Sequence, residues 1–243
     1  MNKVICIIQA RMGSNRLPGK VLKDLCGKPM LEHIVERLKV CKELNEIIVA
    51  TSNLTIDNPI AKFCEDKQIK LFRGSEDDVL NRYYEATKEF NGDIIVRVTG
   101  DCPLIEPSLV DGVIKYFKYN NFDYVSPRSK DRLIRGLDVE VFSRKALEKA
   151  NKNAKDGASR EHVTYYMYSN PKEFKIKGYE FSDQFKDDSI RLCVDEENDF
   201  ELVNIIYSNL YNNNVIEMKD VLKFLKENKE YSKINNNVKQ KLV

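Results

Sequence analysis

What most constrains this chain is an alternation along its first half. Four short, almost wholly apolar runs, VICIIQA (4–10), EIIVATS (46–52), IKLFRG (69–74) and DIIVRVTG (93–100), are separated by segments with helical spacing. Met30 and Leu31 with Ile34, Val35 and Leu38 follow the i, i+3/i+4 rule, as do Val79 and Leu80 with Tyr83 and Tyr84. A strand apolar at successive residues has no side to give to water, so it must be covered on both faces; strands alternating with helices run mostly parallel. The pattern predicts a single Rossmann-like α/β domain whose mostly parallel central sheet carries helices on both faces. Pro29 and Pro107 stand where a first helical turn tolerates proline.

The second half is less regular. LDVEVF (137–142) and SIRLCV (189–194) read as strands, REHVTYYMYS (160–169) as a helix, and two further helices are expected over roughly 198–211 and 217–228. The expected organisation is one domain over 1–228, with about 125–185 as an insertion or lid, and a loosely attached polar tail at 229–243.

Composition narrows the class. A chain of 243 residues can bury a substantial core, and 42% apolar with 32% charged residues is the balance of a globular protein. Lys and Arg number 40 against 38 for Asp and Glu, so there is no global field to coat nucleic acid or an anionic membrane, and any basic site is local. No run reaches the roughly 18 apolar residues of a membrane span, and the N-terminus leads straight into a strand-like run rather than a signal peptide. Cys6, Cys26, Cys41, Cys64, Cys102 and Cys193 are scattered without CxxC or zinc spacing, which suits buried, reduced thiols in a cytoplasmic protein.

Directly after the first strand comes QARMGSNRLPGKVL (9–22), with Arg11, Arg16 and Lys20 set among Gly13, Ser14, Pro18 and Gly19. Neighbouring cations repel, so their concentration at the carboxyl end of a strand, where doubly wound folds bind ligands, implies an anion. Gly13 and Gly19 are expected to turn the backbone and expose N–H groups to phosphate, the three cations adding charge-assisted hydrogen bonds. The loop is neither a Walker A motif, having five residues between its glycines and Val21 at the Ser/Thr position, nor a G-x-G-x-x-G fingerprint. A solvated turn would account for one such cation better than for three.

Asp101 and Asp195 each follow an expected strand, so the sheet can bring them together at the ligand edge. Two carboxylates with phosphate oxygens and waters make a site that suits Mg²⁺. In a purely structural role, Asp101 would cap the helix after Pro103 and Asp195 would start a turn.

Taken in order, QARMGSNRLPGKVL, GSEDDVLNRYYEA (74–86), VRVTGDCPLIEPSLVD (96–111), GLDVEVFSRKALEKA (136–150), SREHVT (159–164) and RLCVDEENDFELV (191–203) resemble a known family. It is that of the cytidylyltransferases that activate sugars for surface polysaccharides. The likeness is nearest to the spore coat polysaccharide biosynthesis protein F group, with the 3-deoxy-manno-octulosonate and acylneuraminate cytidylyltransferases as relatives. It spans about residues 3–210. The resemblance implies a magnesium-dependent enzyme in which an acceptor oxygen attacks the α-phosphorus of CTP and pyrophosphate leaves. It assigns the metal to Asp101 and Asp195 and catalytic roles to Arg11, Lys20 and Asp101. The nucleotide would be held by Gln9, Ala10, Arg11, Gly13, Ser14, Arg16 and Lys20, with Gly74, Ser75, Arg82 and Thr99. Arg82 has a second reading, an i, i+4 salt bridge to Asp78. Relatives often dimerise, which leaves a homodimer open. GSEDDVLNR and TGDCP stand where octulosonate enzymes carry GTER-like and QGDEP-like segments, so octulosonate is not carried over as the acceptor.

The expected acceptor is a sugar, sugar acid, or sugar or polyol phosphate. Strand alternation would place Asp138 and Glu140 on one face, ready to accept hydrogen bonds from sugar hydroxyls. Arg160, Glu161 and His162 fall at a helix start, Arg160 being best suited to an acceptor anion. A solvent-facing strand surface and a helix-surface histidine are the structural readings of these residues, and His33 reads as structural. Two rival functions stand beside this one. A nucleotide-sugar-dependent glycosyltransferase would use a D-x-D-like motif, for which DVE at 138–140 is the nearest match, and would leave the RLPGK loop unexplained. A non-catalytic nucleotide-binding subunit would need a degraded site, yet Arg11, Lys20, Asp101 and Asp195 are all present.

Overall fold

In a computed structural model, which describes residues 2–127 and 133–239, the first apolar run becomes β1 (Val4–Gln9), an inner strand of the central sheet. Its residues are shared between two cores. Val4, Cys6 and Ile8 face one, Ile5 and Ile7 the other, and all five are fully buried. Each such isoleucine contributes roughly 1.5–3 kcal/mol by leaving water. After β1 come a hairpin of β2 (Asp24–Leu25) and β3 (Lys28–Pro29), then α1 (Met30–Lys39), β4 (Glu46–Ser52), α2 (Asn58–Asp66), β5 (Lys70–Gly74), α3 (Val79–Glu89) and β6 (Ile94–Thr99). The chain continues through α4 (Pro107–Lys118), β7 (Tyr124–Ser126), β8 (Glu140–Ser143), α5 (Arg144–Asn153), α6 (Gly157–Glu161) and α7 (Tyr165–Ser169). It closes with β9 (Ile176–Gly178), α8 (Glu197–Leu210) and α9 (Met218–Glu227).

Among the described residues the sheet order is β5-β4-β1-β6-β8-β7-β9. α1, α4 and α8 cover the face with Val4, while α3, α5 and α7 cover the face with Ile5. β5, β4, β1 and β6 are parallel, so their last residues, Gly74, Ser52, Gln9 and Thr99, line one edge. β8 runs antiparallel to β6 and β7, which puts its first residue, Glu140, near that edge and opposite Arg97. The fold class is as expected: an α/β domain with a mostly parallel sheet flanked by helices.

Several boundaries differ from the sequence reading. The 125–185 segment is not a lid on the sheet, since β8, β9 and all but the first residue of β7 belong to it. LDVEVF becomes a strand only from Glu140, after Gly136 (φ 98°) has bent the chain. SIRLCV does not form a strand. It makes an isolated bridge to Arg135 (Arg135 N to Ile190 O 3.1 Å, Leu192 N to Arg135 O 2.8 Å). A Cβ at Gly136 would stand 2.6 Å from Cys193 N, so glycine there permits the close backbone approach. The expected helix over 160–169 is two short ones, broken at His162. The tail is anchored through Asn235, which is buried; residues 240–243 lie outside the described part. All six thiols are free and, apart from Cys26, buried. Among the described residues no helix is long and apolar enough to cross a membrane.

Candidate active site

The loop leaving β1 is shaped from below by a residue the sequence reading missed. Asp57, 1% exposed, accepts hydrogen bonds from Met12 N at 2.7 Å, Thr51 Oγ1 at 3.0 Å and Ser52 N at 3.1 Å, tying the loop to the end of β4. Burial pushes its carboxyl up, but these bonds outweigh burial and leave it below the usual range. Its only sequence signal is a carboxylate shortly after a strand and before Pro59. Met12 O in turn accepts from Ser14 N and Gly19 N, both at 2.9 Å, which pinches the loop closed. The Gly19 and Ser14 amides are therefore spent inside the loop, contrary to the expected phosphate cradle. Gly19 takes a left-handed conformation (φ 70°), whereas Gly13 is not among the residues with positive φ.

Pinching the loop directs Lys20 inward. Its Nζ, on an almost buried side chain, donates to Val194 O at 2.6 Å and to Asp101 Oδ2 and Asp195 Oδ1, each at 3.1 Å. Burial lowers the ammonium's pKa, but the two carboxylates outweigh it and hold the group above the ordinary lysine value. The acids come from distant segments stitched together by the Val194 N to Asp101 O bond, 2.8 Å. Asp101 Oδ1 accepts from Thr99 Oγ1 at 2.5 Å, so the end of β6 orients its own carboxylate. Asp101 does not cap α4; Glu106 does, accepting from Ser108 N at 3.1 Å.

Asp195 is held from three sides. Lys20 and Arg16 Nη2 meet its Oδ1, and Arg191 Nη2 meets its Oδ2 at 2.7 Å. Burial pushes this carboxyl up, but Lys20, Arg16 and Arg191 more than offset it, leaving it below the usual aspartate range. Arg16 also pairs with Glu196 at 3.1 Å, and Arg191 with the fully buried Asp199 at 2.9 Å. Glu196, Arg191 and Asp199 were not foreseen. Glu196 and Asp199 close a capping box at the start of α8, Glu196 N donating to Asp199 Oδ2 at 3.1 Å, but glutamate stands where the sequence signature has Ser or Thr, so the pattern does not announce it. Arg11 stands apart, its side chain 47% exposed and only loosely paired with Glu76 at 3.7 Å.

Asp101 and Asp195 thus converge on one cation, and their hard oxygens suit magnesium, which typically takes one or two carboxylates and completes its shell with phosphate and water. Among the described residues, these ion pairs join three cations to four carboxylates, which leaves room for a further positive charge. No group of three or more His, Cys, Asp or Glu residues able to hold a metal occurs among the described residues, so a two-carboxylate arrangement is the one to fit. Burial pushes the neighbouring Cys102 thiol well up, so it is no thiolate nucleophile.

Among the residues expected to meet the base, Arg82 is buried and its Nη1 donates to Ser75 O. It does not pair with Asp78, whose carboxylate instead caps Asn81 N at 3.0 Å and bonds Arg160. A Cβ on Gly74 would lie 3.0 Å from Arg82 Cγ, so the glycine makes room for that side chain. Gln9 Oε1 accepts from Arg97 Nε at 3.1 Å, and Gln9 O accepts from Gly100 N at 2.8 Å, beside the buried Ala10.

The residues expected to bind an acceptor are scattered. Glu140 is buried, bonded to Arg97, to the Tyr124 hydroxyl and to Thr164 Oγ1, the last at 2.9 Å. The reason is register: Arg97 lies opposite it on β6 and needs a counter-charge. Asp138 is exposed and precedes the strand, so the expected pair on one strand face does not form, and no D-x-D-like acidic pair is presented. Arg160 is held by Asp78 and by Asn151 O at 2.8 Å; Glu161 is exposed and His162 half-buried. His33 is buried against Leu25 O at 2.7 Å, a structural residue.

A family model described as cytidylyltransferase matches residues 5–234. An uncharacterised protein of Methanocaldococcus jannaschii is 46% identical over 239 residues, 98% of this chain and 97% of the relative. The spore coat polysaccharide biosynthesis protein SpsF of Bacillus subtilis is 31% identical over 212 residues, 85% of this chain and 87% of that protein. The solved structure of a cytidylyltransferase from Leptospira borgpetersenii superposes with a TM-score of 0.90 at 31% identity, covering 100% of both chains.

Proposed function

The chain belongs to the cytidylyltransferase family, and from that premise we propose that it moves a CMP group from CTP to an oxygen of a sugar, sugar acid, or sugar or polyol phosphate. Pyrophosphate is released, and the product is a precursor of surface polysaccharide. The observation that carries the reading is the buried Lys20 ammonium, 3.1 Å from both Asp101 and Asp195 at the ligand edge of the sheet.

In the proposed reaction the acceptor oxygen bonds to the α-phosphorus while the bond to the β-phosphate oxygen breaks, its electron pair leaving on pyrophosphate. The protein's part is positioning and charge neutralisation. Lys20 and Arg16 supply fixed positive charge for the polyphosphate, and the half-exposed Arg11 turns onto it from the same loop. Magnesium, when bound by Asp101 and Asp195, would polarise the α-phosphate. Thr99 orients Asp101, and Arg82 positions the Gly74-Ser75 backbone on which the cytosine is read, beside Gln9 and Ala10. Asp138, Glu161 and His162 are the acceptor-side groups, Arg160 joining them if its pair with Asp78 opens.

Four nucleoside triphosphates assayed against candidate acceptors, scored by pyrophosphate release, test the proposal. CTP should be preferred at least tenfold. Asp101→Asn should abolish turnover with the unfolding midpoint near wild type, and an unchanged rate would remove Asp101 from the mechanism.

A further inference from the structure

The polar C-terminal segment is fastened to the same cluster. Asn235 is 3% exposed, unusual for a residue type that mostly faces water. Its amide donates twice, to Arg191 O at 3.0 Å and to Asp199 Oδ1 at 2.9 Å. Those two groups hold each other through Arg191 Nε, and Asp199 also accepts from the backbone N–H groups of Asp195 (2.9 Å) and Glu196 (3.1 Å). Arg191 then reaches Asp195 Oδ2. Four residues further on, Lys239 O lies 3.5 Å from Arg16 Nη1, beside the other guanidinium that grips Asp195. Burying an amide is unfavourable unless its bonds are made, and here both go to the groups that orient one carboxylate.

We propose that Asn235 is a positioning residue: by fastening Arg191 and Asp199, the C-terminal segment sets the direction of the Asp195 carboxylate toward the polyphosphate. Its functional consequence rests on the cytidylyl-transfer reading, whereas its geometric content does not. The acid that faces the nucleotide is thereby held by residues on both sides of α8 in sequence, Arg191 before it and Asn235 after it.

The test compares Asn235→Ala with Asn236→Ala, an exposed neighbour, in the full chain. Amide hydrogen exchange at Asp195 and Glu196 should quicken about tenfold in Asn235→Ala while β1 and β6 keep their protection. Mn²⁺ used as a probe, followed by electron paramagnetic resonance, should bind about tenfold more weakly, as expected when a ligand's supporting partner is lost, and KM for CTP should rise with it. Asn236→Ala should match wild type throughout. If Asn235→Ala does not fold, Asn235→Ser, which keeps a donor, is read in the same way. Unchanged exchange at Asp195 and Glu196, or faster exchange everywhere, overturns the proposal; so do a Mn²⁺ affinity and KM within twofold of wild type. A wild type that neither releases pyrophosphate nor binds Mn²⁺, with selective loosening at Asp195 and Glu196 in the variant, sinks the cytidylyl-transfer reading and leaves the positioning role standing.

Discussion

The two sides of the ligand edge are built differently. On the side proposed to hold the nucleotide, polar residues from the β1 loop, the end of β6 and the segment before α8 converge on one carboxylate pair and one ammonium. On the side expected to take the acceptor, the polar residues the sequence singles out lie apart: Glu140 bonds Arg97, Arg160 bonds Asp78, and Asp138 is exposed ahead of β8. Two parallel strands, β1 and β6, end side by side, and the Val194 N to Asp101 O bond brings the segment before α8 to the same place. An antiparallel strand, β8, instead offers its beginning to the edge and sinks its first carboxylate into the core. The contrast separates charges placed for a ligand from charges placed for the fold, and variants can test it.

The largest effect is expected at Lys20. Lys20→Met leaves Asp101 and Asp195 facing each other without their shared cation, so stability should fall by about 3–5 kcal/mol in urea titration. Pyrophosphate release should drop by about two to three orders of magnitude. Stability loss without loss of turnover in the folded fraction would make this side structural too. Next comes Glu140→Gln, which strands a buried Arg97 charge. About 3 kcal/mol of stability should be lost with KM for CTP unchanged, whereas a raised acceptor KM at wild-type stability would return Glu140 to the binding residues. Asp138→Asn should show the reverse signature: unchanged unfolding and an acceptor KM raised about tenfold, the worth of one hydrogen bond to a charged group.

The smallest effect is in pH. Asp195, held below the usual aspartate value of about 3.9, contributes stability that is complete above about pH 4 and is lost as pH falls through its lowered value. Lys20, held above the usual lysine value of about 10.4, contributes stability complete below about pH 10 and lost as pH rises through its raised value. Urea midpoints of wild type and Asp195→Asn should therefore converge as pH falls below about 4, and draw partly together again as pH rises through the raised Lys20 value, Arg16 and Arg191 still holding Asp195 there. Parallel curves would show that Asp195 gains nothing from its neighbours.

The apolar runs made the parallel half of the sheet legible, because strands buried on both faces leave no other reading, and the loop cations and Asp101 followed from where those strands end. Asp195 follows an expected strand, SIRLCV, that does not form, and it reaches the edge through the Val194 N to Asp101 O bond. Pairing was not legible. Nothing in the local pattern around Asp57 tells that it ties down Met12, and Arg191 sits in an apolar run that reads as a strand although its side chain is what shapes the segment. Glu140 shows the same limit from the other direction. Alternation placed it beside Asp138, but its surroundings are decided by Arg97, 43 positions away in the chain.

The reversed course of β8 has a consequence for how the carboxylate pair is held. Since β7 runs toward the ligand edge and β8 starts from it, the residues that lead into β8 lie at that edge. Arg135 there exchanges backbone hydrogen bonds with Ile190 and Leu192, and Gly136 lets the two backbones touch at Cys193. A change at either residue would therefore reach Asp195, so the approach to β8 and the approach to α8 can vary only in step.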